Sequence, residues 1–204
     1  MSEPNFFRTD EDFRLGLQDL GQSLDYRTRL PKWPFRTPSG WVRIYEYDRL
    51  LGSDFGTVLG ALAEEYRDQH VTVATLDPHM SCYRDEYGFY PGFQVRGIDV
   101  SDGYGLGLRH EPDGDPTGAL AYTANVIAIS GSSGAWSVWA QRDWEVGLLL
   151  TRDPAGTWCD QAVPSFSRDV DLTSIRSPRG WGMPLSDVDL AVFWRNIRER
   201  GSGL

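Results

Sequence analysis

The chain has 204 residues, of which 40% are hydrophobic and 24% are charged, a composition typical of a soluble globular protein. A chain of this length can bury about 70% of the surface that its unfolded state exposes, so folding requires neither a disulfide nor a metal ion. The formal net charge of −9 argues against a surface that binds nucleic acid or an anionic membrane, and it favours a basic partner.

The cysteines and the start of the chain predict a cytoplasmic protein. The two cysteines are Cys82 and Cys159, and residues 1–13 have neither the positive cluster nor the apolar run of a signal peptide. No stretch approaches 18 apolar residues, so we expect no transmembrane helix and two free, reduced thiols. Arginine occurs 19 times and lysine only at Lys32, a bias that indicates a GC-rich bacterial genome.

The first 30 residues predict a helical segment. Thr9 and Asp12 have the spacing of a capping box. Apolar residues then recur on one helical face, namely Phe13, Leu17, Leu20 and Leu24. Residues 31–40 contain three prolines and predict a loop, and the alternation over residues 41–47 predicts a strand.

A second helix is predicted over residues 53–68, with Ser53 as its N-cap. Its apolar stripe consists of Phe55, Val58, Leu59, Leu62 and Tyr66. A short strand follows at residues 71–76, and further strands are predicted near residues 93–100 and 104–109.

Three consecutive antiparallel strands are predicted over residues 120–129, 134–141 and 144–151. The sequence SGSSG at residues 130–134 is typical of a hairpin loop, because glycine tolerates positive φ and serine bonds its own backbone. The last strand has large apolar side chains on both faces and should be covered on both sides. Trp144 could share a face with Trp136 or with Trp139, because a slip of one residue exchanges them.

The end of the chain predicts a helix over residues 186–200, where Ser186 and Asp189 have the spacing of a capping box. Residues 151–185 before it are polar and poorly periodic. Helices near both ends and strands between them indicate an α+β fold, with a central antiparallel meander sheet flanked by helices near the N-terminal third and the C-terminus. We expect one domain over 1–204, comprising the helical segment 1–30, a sheet core 40–158 that includes helix 53–68, and the C-terminal helix.

No motif of a catalytic, metal or cofactor site is complete. His79 and Cys82 have the spacing of one metal-binding pair, with His110 and Cys159 as remote candidates, but a strong zinc site shows two close pairs. The loop at residues 130–134 lacks the ending of a phosphate-binding loop and the spacing of a serine-hydrolase elbow. We therefore expect no metal and no cofactor, and we assign no catalytic residue.

The best functional candidate is the segment 77–93, interpreted as a long irregular loop. Long loops inside compact domains are more often functional than decorative, and aromatic side chains mixed with arginine and acids are typical of binding hot spots. The candidate partner-binding residues are Tyr83, Arg84, Asp85, Glu86, Tyr87, Phe89 and Tyr90. The alternative is that these rings fold inward and cap the edge of the sheet.

The predicted meander, SGAWSVWAQRDWEVGLLL, resembles segments of small, acidic, cytosolic bacterial proteins of the immunity type. The residues that carry the resemblance are Trp136, Trp139, Asp143, Trp144 and Glu145. Proteins of this type bind and neutralise secreted toxins and are often of α+β fold. Within the type, the SMI1/KNR4-like group shows a Leu-Pro pair followed by a helix, whereas residues 30–31 here are followed by a proline-rich loop.

Three functions follow as hypotheses. The first is a cytoplasmic immunity-type inhibitor that occludes the active site of a basic toxin, such as a nuclease domain, and is steered to it by charge. The second is an enzyme that uses His79, Asp85 or Glu86 as an acid or base. The third is a structural or regulatory domain without a small-molecule site. A cluster of His79, Cys82 and His110 around a cavity would favour the enzyme, and an exposed aromatic patch would favour the inhibitor.

Overall fold

An eight-stranded sheet organises the protein. The computed structural model describes residues 3–154, 163, 165 and 185–202. The strands are β1 (Asn5–Phe6), β2 (Gly40–Glu46), β3 (His70–Asp77), β4 (Gly92–Arg96), β5 (Val126–Gly131), β6 (Trp136–Gln141), β7 (Val146–Thr151) and β8 (Gly201–Ser202). They lie side by side in the order β1-β4-β3-β5-β6-β7-β2-β8.

Seven helices accompany these strands in the described part of the chain. They are α1 (Asp10–Ser23), α2 (Tyr47–Leu50), α3 (Phe55–Glu65), α4 (Met80–Tyr87), α5 (Val100–Leu108), α6 (Leu120–Thr123) and α7 (Asp187–Arg200). Short 3₁₀ turns lie at Gly97–Asp99, Pro112–Gly114, Pro116–Gly118 and Arg142–Trp144. None of the described helices is long and apolar enough to cross a membrane.

The α+β class is confirmed, but the sheet is not the simple flanked meander that the sequence predicted. The strands β5, β6 and β7 form a meander, and β3 and β4 are a second pair that is adjacent in both sequence and space. Neighbouring strands are antiparallel except β2 and β8, which pair in parallel and make the sheet mixed. Strands from both ends of the chain thus extend a three-stranded centre, an arrangement set by long-range pairing that local sequence periodicity does not encode.

The register of the central strands settles which tryptophans share a face. In β5, β6 and β7 every residue is buried, as expected for strands covered on both sides. Trp139 lies opposite Ala128 and Leu148, and it belongs to the same apolar cluster as Trp144. Trp136 belongs to the cluster on the opposite face.

Helices cover both faces of the sheet. On one face, α3 and α5 contact strand residues such as Val73, Ile129 and Val138. On the other face, α1 and α7 contact Trp139 and Leu148. The helix predicted over residues 53–68 is α3, which is shorter and spans Phe55–Glu65. Its N-cap residue is Asp54 and not the predicted Ser53. At the starts of α1 and α7, where capping boxes were predicted, the hydroxyls of Thr9 and Ser186 accept hydrogen bonds from the amides of Asp12 and Asp189.

The strand predicted at residues 104–109 is wrong, because residues 104–108 lie in α5 and Arg109 is its C-cap residue. The strand predicted at 93–100 ends at Arg96, and residues 120–123 form α6 ahead of β5. In α5, a β-carbon at Gly103 would clash with Val95 and one at Gly107 would clash with Phe93, so glycine lets this helix lie close to β4. Most of the predicted polar stretch 151–185, including Cys159 and residues 155–158 of the sheet core, lies outside the described residues.

Candidate functional site

The segment 77–93 is not the irregular loop that the sequence predicted, because α4 occupies its centre. The helix begins after His79, whose Nδ1 accepts a hydrogen bond from the Ser81 amide, an unusual capping residue in place of Ser, Thr, Asp or Asn. It ends at Gly88, which has φ +75, a left-handed conformation that favours glycine. The last residues of the segment, from Gly92 onward, belong to β4.

The helix faces inward with one aromatic ring. Tyr83 is buried, and its hydroxyl donates to the carbonyl of Gly118 over 2.7 Å. Burial raises the pKa of Tyr83 above its usual range, and the nearby Tyr87 and Glu86 act in the same direction. Tyr83 therefore joins α4 to the 3₁₀ turn at Pro116–Gly118 and is not available to a partner.

Two further candidate rings are also buried. Phe89 contacts the rings of Phe6 and His110, at centroid distances of 5.5 and 5.7 Å. Tyr90 stacks on Phe13 at 4.7 Å and donates its hydroxyl to Asp10 over 2.6 Å. The rings of Tyr83, Phe89 and Tyr90 therefore fold inward at the edge of the sheet, which was the alternative prediction.

The charged candidates lie on the outer side of α4. Arg84, Asp85 and Glu86 are exposed, and Tyr87 is half-buried. The guanidinium of Arg84 pairs with Asp10 at 3.2 Å and lies 5.2 Å from the ring of Tyr90. The carboxylates of Asp85 and Glu86 point to solvent without an ion pair among the described residues.

Carboxylates from three parts of the chain meet at this helix. We call the surface formed by Asp10, Asp85, Glu86, Tyr87 and Asp115 the α4 face. The hydrogen bond to Asp10, followed by burial, raises the pKa of Tyr90, and Asp85 adds to the effect. Burial, followed by the neighbouring Glu86 and Asp115, raises the pKa of Tyr87. The α4 face is therefore an acidic surface with one partly exposed aromatic ring.

The three residues considered for a metal or acid–base site have different surroundings. His79 bonds Ser81, His110 lies 4.4 Å from the ring of Phe6, and Cys82 is exposed with a free thiol. Within the described residues, no group of three or more His, Cys, Asp and Glu side chains is arranged to hold a metal ion.

Sequence reasoning missed a polar cluster on the face of the sheet covered by α1. Asp19 of α1 accepts hydrogen bonds from His70 at 3.0 Å, Gln94 at 2.9 Å and Thr72 at 3.4 Å. Thr72 and Gln94 face each other across β3 and β4. The spacing of His70 and Thr72 by two residues could have indicated a polar stripe on one face of a strand. Nothing in the sequence indicated that these residues bind a helix some 50 residues earlier.

No protein-family model matches this chain, and no curated protein or solved structure is significantly similar to it. The likeness of the meander to immunity-type proteins therefore stays a prediction. Function has to be argued from the α4 face itself.

Proposed function

We propose that this protein binds a basic protein partner through the α4 face and acts as an immunity-type inhibitor of a toxin. The observation that supports the proposal is the set of carboxylates along α4: Glu86 and Asp115 lie near the partly exposed ring of Tyr87, and Asp10 and Asp85 lie near Tyr90. A net charge of −9 would add long-range attraction to a positively charged partner.

The buried rings of Tyr83 in α4 and of Tyr90 just after it would serve this function indirectly. Tyr83 is tied to the carbonyl of Gly118, and Tyr90 is tied to Asp10 and stacked on Phe13. These contacts hold the helix in place before a partner arrives. A rigid surface loses less conformational entropy on association, so the same contacts would yield a higher affinity.

Inhibition would proceed by occlusion. A toxin that acts on nucleic acid carries a basic substrate groove, and a protein whose carboxylates mimic the charge of the substrate competes for that groove. The half-buried ring of Tyr87 would supply the desolvated contact at the centre of the interface, and the acidic side chains would form its rim.

The first experiment tests protection. The open reading frames next to the gene are expressed singly and together with this protein. We expect one of them to arrest growth alone and to be tolerated in the presence of this protein. If none is toxic, or if this protein protects against none, the inhibitor function is wrong.

The second experiment tests the α4 face with the toxic partner so found. Asp85→Asn plus Glu86→Gln should slow association by about tenfold at low salt and flatten its salt dependence. Tyr87→Ala should speed dissociation by about tenfold or more, since a buried ring at an interface acts mainly on the lifetime of the complex. Both rates are measured by surface plasmon resonance.

The matched control is Glu64→Gln plus Glu65→Gln, which removes the same charge from two exposed neighbours at the end of α3. The control pair precedes β3 and the test pair follows it, and the eight residues of this strand span roughly 26 Å. If the control slows association as much as the test variant, the partner responds to net charge and the α4 face is not the binding site.

A further inference from the structure

A cleft of about 440 Å³ opens beside the first turn of α4, on the face of the sheet that α1 covers. It lies between α1, the segment 24–30 that follows it, and the end of β3. Its volume is within the range of small-molecule sites. The cleft is lined by side chains that include Leu17, Tyr26, Arg27, Arg29, Leu76 and Met80.

Arg29 is held in place at this cleft by main-chain carbonyls. Its Nη1 donates to the carbonyls of Tyr26 at 3.3 Å and Thr28 at 2.8 Å, and its Nη2 donates to that of Leu76 at 3.4 Å. The guanidinium also lies 5.8 Å from the ring of Trp139. An arginine carries five N–H donors, so among the described residues the Nε–H and one Nη2–H have no acceptor and remain for a ligand.

The charge of Arg29 has no carboxylate partner within the described part of the chain. The nearest acid in sequence, Asp25, accepts instead from the Thr28 hydroxyl at 2.9 Å and the Arg27 amide at 3.3 Å. Arg27 adds a second guanidinium to the rim, over the ring of Tyr26 at 6.0 Å. A half-buried cation that pairs with no described carboxylate is unusual in a chain whose acids outnumber its basic residues by 29 to 20.

The other walls of the cleft determine which kind of ligand body it can accept. Leu17, Leu76 and Met80 offer apolar surface, and Tyr26 offers an aromatic ring. Two free donors on one guanidinium match the two oxygens of a carboxylate. A phosphate would leave additional anionic oxygens against apolar walls, where their desolvation is costly.

We propose that this cleft is a binding site for a small organic acid. The carboxylate pairs with Arg29, assisted by the charge of Arg27, and an apolar or aromatic body lies against Leu17, Leu76 and Met80. The site is separate from the α4 face and does not depend on the inhibitor function.

The experiment is a titration of the full chain, labelled with ¹⁵N, followed by NMR. The probes are 3-phenylpropionate, its neutral analogue 3-phenylpropionamide, and inorganic phosphate. The reporters are the Nε–H of Arg29 and the indole N–H of the fully buried Trp139 beneath it. We expect saturable shifts of both signals with the carboxylate, and affinity at least tenfold weaker for the amide and for phosphate.

Three variants locate the site. Arg29→Lys keeps the charge but loses the planar fork, so affinity should fall by about tenfold. Since Arg29 also holds three carbonyls, Met80→Trp provides an independent test that leaves the arginines intact and fills the cleft; it should abolish the shifts. Arg49→Gln removes an exposed arginine that faces Glu46 and should change nothing.

Either of two results overturns the proposal. One is the absence of saturable shifts with 3-phenylpropionate in a folded protein. The other is equal affinity for the acid and the amide, which would show that the cleft takes apolar groups without recognising a carboxylate.

Discussion

At the scale of single residues, Asp68 shows how one buried carboxylate fixes a loop. It is the only acidic side chain buried among the described residues. It accepts hydrogen bonds from the indole of Trp136 at 2.7 Å and from the amide of Ser133 at 2.6 Å. The turn between β5 and β6 is thereby tied to the segment that connects α3 to β3.

Replacing this carboxylate tests its contribution. Asp68→Ala should lower the free energy of unfolding by about 3 kcal/mol, because it leaves the buried indole N–H of Trp136 without an acceptor and removes the hydrogen bond from the Ser133 amide. Urea unfolding followed by far-UV circular dichroism gives the value. Glu64→Ala, at an exposed site nearby, should stay within about 0.5 kcal/mol of the wild type. An unchanged midpoint for the Asp68 variant would mean that both donors find other acceptors.

At the scale of elements, Trp144 joins the sheet to the C-terminal helix. The ring of Trp144 is buried and lies 5.3 Å from that of Phe193 in α7, and α7 continues into β8 at the edge of the sheet. A contact between residues so far apart in sequence closes the face of the sheet that α1 also covers.

The strength of this junction can be measured. Trp144→Ala should destabilise the protein by about 3–5 kcal/mol, as expected when a large buried ring is removed. In a double-mutant cycle with Phe193→Ala, the two rings should show a coupling energy of about 0.5–1.5 kcal/mol. Val188→Ala, in the same helix but 72% exposed, is the control and should have little effect. A coupling of zero would indicate that α7 docks without this aromatic pair.

The elements also show what the sequence could predict. Helices with a side-chain cap and a regular apolar stripe, such as α1 and α7, were predicted with their correct first turns. The strands β5, β6 and β7 were also predicted, but β5 begins at Val126 and not at residue 120. The helix α5 was missed because it contains three glycines, Gly103, Gly105 and Gly107, which have low helical propensity, and packing against β4 overrides that preference. The helix α4 was missed because it is short and capped by histidine.

The candidate site was predicted by composition but not by orientation. The sequence identified the segment that carries Asp85, Glu86 and Tyr87, yet it could not show that Tyr83 and Tyr90 point inward, since their partners lie at Gly118 and Asp10. The cluster around Asp19 was invisible for the same reason. Which face a side chain takes depends on contacts between distant parts of the chain.

At the scale of the whole molecule, the sheet separates two apolar clusters, and one of them contains three buried tyrosines whose hydroxyls are hydrogen-bonded. Tyr47, Tyr83 and Tyr104 belong to the same cluster. Each donates its hydroxyl to a main-chain carbonyl, of Ala124, Gly118 and Leu50 respectively. Burial raises the pKa of Tyr47 to about 12 and raises the pKa values of Tyr83 and Tyr104 as well.

These shifts predict a loss of stability in alkali. An unfolded tyrosine has a pKa of about 10, so the folded protein binds these three protons more tightly than the unfolded chain does. The stabilisation is fully present below about pH 10 and is lost as the pH rises through the folded pKa, near 12 for Tyr47. Between pH 10 and the folded pKa, each of these tyrosines should lower the free energy of unfolding by up to about 1.4 kcal/mol per pH unit.

Tyr47→Phe tests this at one position. At pH 7 the variant should be less stable by about 1 kcal/mol, because the hydrogen bond to Ala124 is lost. Between pH 10 and 11.5 its free energy of unfolding should fall less steeply with pH than that of the wild type, because phenylalanine does not ionise. The difference between the two slopes should correspond to about one proton. Urea unfolding at a series of pH values measures both. Tyr122→Phe, at a side chain that is 66% exposed, is the control and should follow the wild type throughout. Parallel curves for Tyr47→Phe and the wild type would show that ionisation of this buried phenol does not contribute to alkaline unfolding.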